Sequence, residues 1–179
     1  EEIWMTDKVR AKYDKEVDQY DDIFKNQAGK HFIRRKIDKA VSFNALHQNH
    51  KVLEIGSATG IFSFVIEKLG VTLISIDLAP RNIEYANRIK RIKNSQINFQ
   101  VGDVEDLQFP DNSFDGIISF STLRYVPDIR KALCEIYRIL KPNGYVIIDF
   151  PNKLCPWFGK LKKLVLGREH IYDNHYYKH

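Results

Sequence analysis

Lys51-Val-Leu-Glu-Ile-Gly-Ser-Ala-Thr-Gly60 is an apolar run ending in two glycines four positions apart, the pattern of a buried strand that breaks into a tight loop before a helix. Val52, Leu53 and Ile55 supply the strand. Gly56 and Gly60 let the backbone turn and approach a ligand where a Cβ would collide. The helix expected over Ile61 to Leu69 directs its amide-rich N-terminus at that ligand. One Gly-rich turn also suits an ordinary βα loop, so a cofactor-binding α/β domain requires later strands to bring polar groups to the same edge.

Three further runs meet that requirement. Val71-Thr-Leu-Ile-Ser-Ile-Asp77 ends on an acid 21 positions after Gly56, the offset at which a carboxylate can take a ribose diol. Ile97-Asn-Phe-Gln-Val-Gly-Asp103 ends in Gly-Asp, and Phe114-Asp-Gly-Ile-Ile-Ser-Phe120 is a fourth strand pattern. Residues 40 to 150 thereby resemble the class I S-adenosylmethionine-dependent methyltransferases, of the type 11/25-like domain. Their pattern is Asp/Glu-x-Gly-x-Gly-x-Gly, an acid ending strand 2, and Gly-Asp after strand 3. Ala58 replaces the middle glycine and brings a methyl group toward the methionine end of the cofactor. A dinucleotide loop, Gly-x-Gly-x-x-Gly, would need glycines where Ala58 and Ile61 stand, and branched Ile61 opposes the close helix packing that loop requires.

The 179 residues, 44% apolar, suffice for one core with appendages. The formal charge of +5 is spread through helices rather than gathered in a block, which makes nucleic acid an unlikely partner. Cys134 and Cys155 form neither a disulfide framework nor a metal set. No apolar run approaches the roughly 18 residues of a membrane span, and the first residues carry no signal-peptide pattern. A cytoplasmic protein without a transmembrane segment is expected.

Residues 1–46 read as two helices forming an N-terminal lid, residues 47–150 as the Rossmann-like core, and residues 151–179 as a basic, aromatic segment of the same domain. Val9, Tyr13, Val17, Tyr20 and Phe24 make one apolar face, Asn26-Gln-Ala-Gly29 interrupts, and Ile33, Ile37, Ala40 and Val41 mark the second helix. Tyr13 and Tyr20 read as core packing in preference to ligand contact, and His31, Arg34 and Arg35 as a solvated face. Phe62, Val65, Ile66 and Leu69 stripe the first crossover helix, which Gly70 caps. Pro80 opens the second, with Ile83, Ala86 and Ile89 inward. Glu105 to Ser113 is a turn-rich connection whose acids read as turn formers. Pro127-Asp128 opens a helix with Ile129, Leu133, Ile136 and Leu140 on one face, Lys141-Pro-Asn-Gly144 ends it, and Tyr145 to Phe150 is a fifth strand. The alternation implies a doubly wound, mainly parallel α/β sheet. The resemblance supplies the strand order 3-2-1-4-5, with the ligand at the carboxyl edge between strands 1 and 4.

The resemblance also implies S-adenosyl-L-methionine as cofactor, S-adenosyl-L-homocysteine as product, and a binding set of Glu54, Gly56, Ser57, Ala58, Gly60, Asp77, Leu78, Asp103, Val104 and Phe120. In that set Asp77 holds the ribose hydroxyls, Asp103 and the Val104 amide hold the adenine, and Glu54 holds the ammonium of the tail. For Asp77 and Asp103, helix capping in the following turn is the alternative. Methyl transfer is an in-line displacement, so positioning and exclusion of water dominate, and a base is needed only where the acceptor must lose a proton. Tyr125, His170 and His175 are candidates for that base, although structural or exposed roles suit each of them better. The stretch Ser119-Phe-Ser-Thr122 lacks the Asn/Asp-Pro-Pro-Tyr/Phe of enzymes that methylate nucleic-acid amines. Cys155-Pro156 reverses the Pro-Cys of a cytosine-C5 nucleophile, which leaves a small-molecule acceptor, O-, N- or C-methylated.

Relatives continue past strand 5 with a helix and two more strands, roughly 50 to 80 residues by the ordinary size of such folds. Residues 151–179 instead hold Trp157 to Leu166, which suits a basic amphipathic helix, and an aromatic, His-rich end. Six Lys and Arg stand there against two acids, a net +4. A packed cap suits this segment better than a membrane contact, and no metal-ligand spacing occurs. An apparently truncated sheet leaves the strand 5 edge open to a homodimer through that edge or the C-terminal segment. A catalytically silent cofactor-binding or partner-binding subunit is the alternative function.

Overall fold

The structure is a computed structural model that describes residues 2–42 and 46–149, with side chains from Asp7 onward, Ile23 excepted. Phe150, Cys155, the Trp157–Leu166 stretch, His170 and His175 lie outside the described residues.

Five strands, β1 (Lys51–Ile55), β2 (Thr72–Asp77), β3 (Asn98–Val101), β4 (Phe114–Ser119) and β5 (Leu140–Ile148), form one sheet ordered β3-β2-β1-β4-β5. Every pairing in it is parallel. The order reverses between β1 and β4, where Val52, Leu53 and Glu54 pair with Gly116, Ile117 and Ile118. Successive residues point to opposite faces. Val52 and Ile118 accordingly join one core with Ile33, Ile37 and Ala40, whereas Leu53 and Ile117 join the other with Ala132, Ile136 and Ile139. Burial on both faces explains why these strands read as continuous apolar runs rather than alternating ones.

The N-terminal region folds as α1 (Glu2–Tyr20), the short α2 (Asp22–Lys25) and α3 (Gln27–Ser42). The break falls at Asn26, whose side-chain carbonyl accepts the Gly29 amide at 2.8 Å. Gly29 is therefore the buried first turn of α3 rather than part of the interruption. Ile33, Ile37 and Ala40 are buried as expected, but Val41 is exposed.

The crossover after β1 is shorter than the expected Ile61 to Leu69 helix. It comprises only α4 (Ser63–Ile66) and a 3₁₀ turn, Glu67–Leu69, ended by Gly70 at φ 80°. After β2, α5 (Pro80–Lys93) opens on Pro80 and buries Ile83 and Ala86. The helix after β4, α6 (Ile129–Ile139), is capped by Asp128, which accepts the Lys131 amide at 3.0 Å. Its buried stripe is Ala132, Ile136 and Ile139, while Leu133 is exposed. Leu140 belongs to the strand. The Lys141-Pro-Asn-Gly144 stretch does not end a helix: it is a bulge within β5, between Leu140 opposite Phe114 and Tyr145 opposite Gly116. Asn143 takes φ 63° there, and Lys141 reaches Asp115 at 2.7 Å.

Candidate functional site

The carboxyl edge of the sheet opens into a cleft of about 900 Å³ of empty space, its mouth included. Its floor is the turn after β1. The Gly56 and Ser57 amides both donate to the Ile76 carbonyl, at 2.8 and 3.0 Å, which hooks the turn over β2. Gly56 sits at φ 79° with Thr122 packed against it, and a Cβ there would lie 2.0 Å from the Thr122 Oγ1. Ala58 also takes a left-handed φ, 47°, a conformation that costs a non-glycine residue roughly 1 kcal/mol or more. Its amide donates to Asp77 Oδ2 at 2.8 Å, which offsets that cost and ties the turn to the end of β2.

Asp77 also accepts the Ala79 amide at 2.9 Å and the Asn82 side-chain amide at 3.1 Å. Burial pushes its carboxyl upward against these three donors. A carboxylate offers about four lone-pair sites, so Asp77 braces two turns and keeps acceptor capacity toward the cleft. Asp103 accepts the Glu105 amide at 2.9 Å. Neither acid caps a helix: α5 has no side-chain cap and no helix follows Asp103 before β4, so both brace local turns while standing on the cleft wall. Glu105 does more than form a turn, because it accepts the Asp128 amide at 3.0 Å and joins the loops after β3 and β4.

Helix α1 lies across this edge. Asp14 accepts the Arg81 amide at 3.0 Å, its carbonyl accepts the Arg81 guanidinium at 2.7 Å, and Asp21 accepts the Thr59 hydroxyl at 2.5 Å. So seated, α1 puts Val9, Arg10, Tyr13 and Tyr20 on the cleft. The Tyr13 ring meets those of Tyr20 and Tyr125 edge-on, each at 6.2 Å. Burial raises both the Tyr13 and the Tyr20 phenol, with the Asp77 carboxylate the next cause for Tyr20. Arg124 stacks over the Tyr125 ring at 4.7 Å, and its Nε–H is buried without a partner among the described residues.

The turn after β4 is fastened from behind. Lys36 of α3 pairs with Asp149 and donates to the Ser121 hydroxyl at 2.8 Å, while the Ser121 amide donates to Asp149. Ser121 takes φ 59°. The Lys36 ammonium lies 4.4 Å from the Phe32 ring centroid and 5.5 Å from that of Phe120, and burial lowers its pKa against the opposing pull of Asp149.

Of the residues expected at the site, Gly56, Ala58, Asp77, Leu78, Asp103, Val104, Phe120 and Tyr125 line this one cleft. Glu54, Ser57 and Gly60 do not. Glu54 is buried beneath the turn, accepting the Ser63 hydroxyl and, at 2.7 Å, that of Ser75. Burial raises its carboxyl to about 7. Gly60 takes φ 85° against Phe99, where a Cβ would lie 2.9 Å from the ring. The sequence reading missed Arg10, Glu105 and Arg124, and it assigned Tyr13 and Tyr20 to packing. The only available signal was the spacing of Val9, Tyr13 and Tyr20 along one face of α1, which says that the face is covered but not by what. Among the described residues no group of three or more His, Cys, Asp or Glu is arranged to hold a metal ion, and no helix is long and apolar enough to cross a membrane.

A family described as a methyltransferase domain matches residues 53–148. The chain is 34% identical over 123 residues to a demethylmenaquinone methyltransferase of Tropheryma whipplei, covering 66% of this chain and 50% of that one. It is 29% identical over 136 residues to a malonyl-[acyl-carrier protein] O-methyltransferase of Yersinia pestis, covering 75% and 49%. The chain spans about half the length of these curated relatives. A solved structure from Methanococcus maripaludis, assigned as an S-adenosyl-L-methionine-dependent methyltransferase, superposes with a TM-score of 0.69 at 25% identity, over 84% of this chain and 71% of that one.

Proposed function

The chain belongs to the methyltransferase domain family, and from that premise we propose that it binds S-adenosyl-L-methionine in the cleft and transfers its methyl group to a small-molecule acceptor. One observation carries this reading: the carboxyl ends of β1, β2, β3 and β4 bring the Gly56–Ala58 turn, Asp77, Asp103 with Val104, and Phe120 to the same cleft. The fit is physical as well as positional. Gly56 takes a left-handed φ and lies against Thr122, where a Cβ would collide, and Asp77, held by three donors, keeps about one acceptor site for a ribose hydroxyl.

S-adenosyl-L-methionine supplies an electrophilic methyl group on a sulfonium. The chain's own residues position and enclose the reactants. In this reading Asp77 takes the ribose hydroxyls, while Asp103 and the Val104 amide take the adenine. Leu78 packs beside the adenine, and Phe120 flanks the reacting end. Glu54, lying beneath the turn with its carboxyl pushed up to about 7 by burial, acts through the turn rather than by direct contact. Of the N-terminal region, α1 forms the lid, and Tyr13, Tyr20 and Tyr125 exclude water from the acceptor side. Tyr125 is the described residue placed to move a proton where an acceptor must lose one. The relatives named for demethylmenaquinone and for malonyl-[acyl-carrier protein] favour a quinol-like or carboxylate-bearing acceptor group entering between α1 and the turn after β4.

Calorimetric titration tests the reading. S-adenosyl-L-homocysteine is expected to bind saturably, one per chain, and NAD to give no heat. Saturable NAD binding, or no S-adenosyl-L-homocysteine binding by a chain with a native melting curve, overturns it. Product binding without turnover over a panel of quinol and carboxylate acceptors supports the silent-subunit alternative.

A further inference from the structure

The cleft carries opposite charges at separate places. Asp77, Asp103 and Glu105 line it after β2 and β3, while Arg124 enters from the turn after β4 and Arg10 from α1. Among the described residues neither arginine is ion-paired. Lys36 and Arg81, also near this edge, are already engaged, Lys36 with Asp149 and Arg81 with Asp14 and Asp18. Arg124 is the more constrained of the two arginines. Its guanidinium stacks on the Tyr125 ring at 4.7 Å, and its buried Nε–H has no described partner. Burying a donor without an acceptor is unfavourable, and a guanidinium held over a ring still offers its fork to two oxygens.

We propose that Arg124, with Arg10 on the same cleft, forms an anion subsite for a carboxylate or a comparable planar oxyanion of a ligand in the cleft. The proposal rests on the methyltransferase reading and sharpens it. The oxyanion belongs either to the amino-acid end of the cofactor or to the acceptor, and the same chemistry serves both.

Wild type, Arg124→Gln and Arg124→Lys are titrated with S-adenosylhomocysteine and with 5′-methylthioadenosine, which lacks the carboxylate. At saturating S-adenosylhomocysteine they are also titrated with benzoate, followed by NMR shifts. Methylthioadenosine affinity is expected to be the same in all three proteins. Arg124→Gln is expected to weaken either S-adenosylhomocysteine, which assigns the oxyanion to the cofactor, or benzoate, which assigns it to the acceptor, by roughly ten- to hundredfold. Arg124→Lys keeps the charge but loses the fork and should fall between; if the Gln variant melts early, the Lys variant alone decides the test. Unchanged affinity for both carboxylates overturns the subsite. Failure of methylthioadenosine to bind the folded wild type instead sinks the adenosyl reading, while a benzoate site lost on Arg124→Gln would leave the subsite standing.

Discussion

Asp77 holds the Ala58 amide of the turn while keeping room for a further donor, so it links backbone strain to ligand binding. Asp77→Ala is expected to weaken S-adenosylhomocysteine binding by roughly 1.5 to 3 kcal/mol, the range for hydrogen bonds to a charged group. Calorimetry reads the loss, and unchanged affinity with a native melting curve would remove Asp77 from the site. Glu54 makes a second test. Its carboxyl rises from about 4.5 to about 7 through burial, against the two serine hydroxyls that favour its charge. Across that interval the native chain keeps a proton that the unfolded chain has released. The stability tied to this proton is therefore present below about pH 4.5 and lost as pH rises toward 7. Glu54→Gln is expected to exceed wild type in stability by roughly 2 to 4 kcal/mol at pH 8 and by little at pH 4, as read by urea unfolding. A gain independent of pH would contradict this. Asp77 was legible because an acid at a strand end and at a fixed offset is a local pattern. Arg124 was not, because nothing in Leu123-Arg-Tyr-Val126 says that α1 will bring Tyr13 against Tyr125 on the same cleft.

Helix α1 is seated by side chains rather than by a large apolar face, since among its described residues only Val17 is fully buried. Asp14 with Arg81 and Asp21 with Thr59 make the direct ties. Asp18 and Arg81 are exposed and 3.8 Å apart, a pair of the kind that contributes about 0 to 1 kcal/mol. Replacing Asp14 and Asp21 together by Ala is therefore expected to speed amide exchange along α1 and weaken S-adenosylhomocysteine up to roughly tenfold. Asp18→Ala should change neither, and exchange in β1 and β4 should stay slow in both. Unaltered α1 exchange in the double variant would mean that other contacts seat the helix. The sheet offers a sharper packing test. A Cβ on Gly116 would lie 2.0 Å from the Tyr145 ring, so Gly116→Ala should cost roughly 1 to 3 kcal/mol, and Tyr145→Leu should recover part of it in thermal unfolding. The β5 bulge that brings Tyr145 opposite Gly116 was not legible. Lys-Pro-Asn-Gly is strong turn chemistry, and nothing local says that the strand begins before it.

At the scale of the molecule, the strand order and the placement of the edge acids follow from apolar runs buried on both faces and from crossovers that force parallel pairing. The wall of the cleft opposite the edge acids was less legible because it is assembled from α1 and the turn after β4, segments distant in sequence that meet only after folding. Among the described residues β5 pairs with β4 alone, and Val146 on it is exposed. An edge of that kind invites pairing with another strand, so a homodimer through it remains a proposal for sedimentation. The most direct measurement of the whole reading is isotope-filtered NMR of S-adenosylhomocysteine bound to the ¹³C-labelled chain. Adenine protons are expected to contact the Leu78 and Val104 methyl groups, and the methylene beside sulfur to contact Phe120 or Tyr125. Contacts confined to residues away from the cleft, or a folded chain that shows none at saturating ligand, would contradict it.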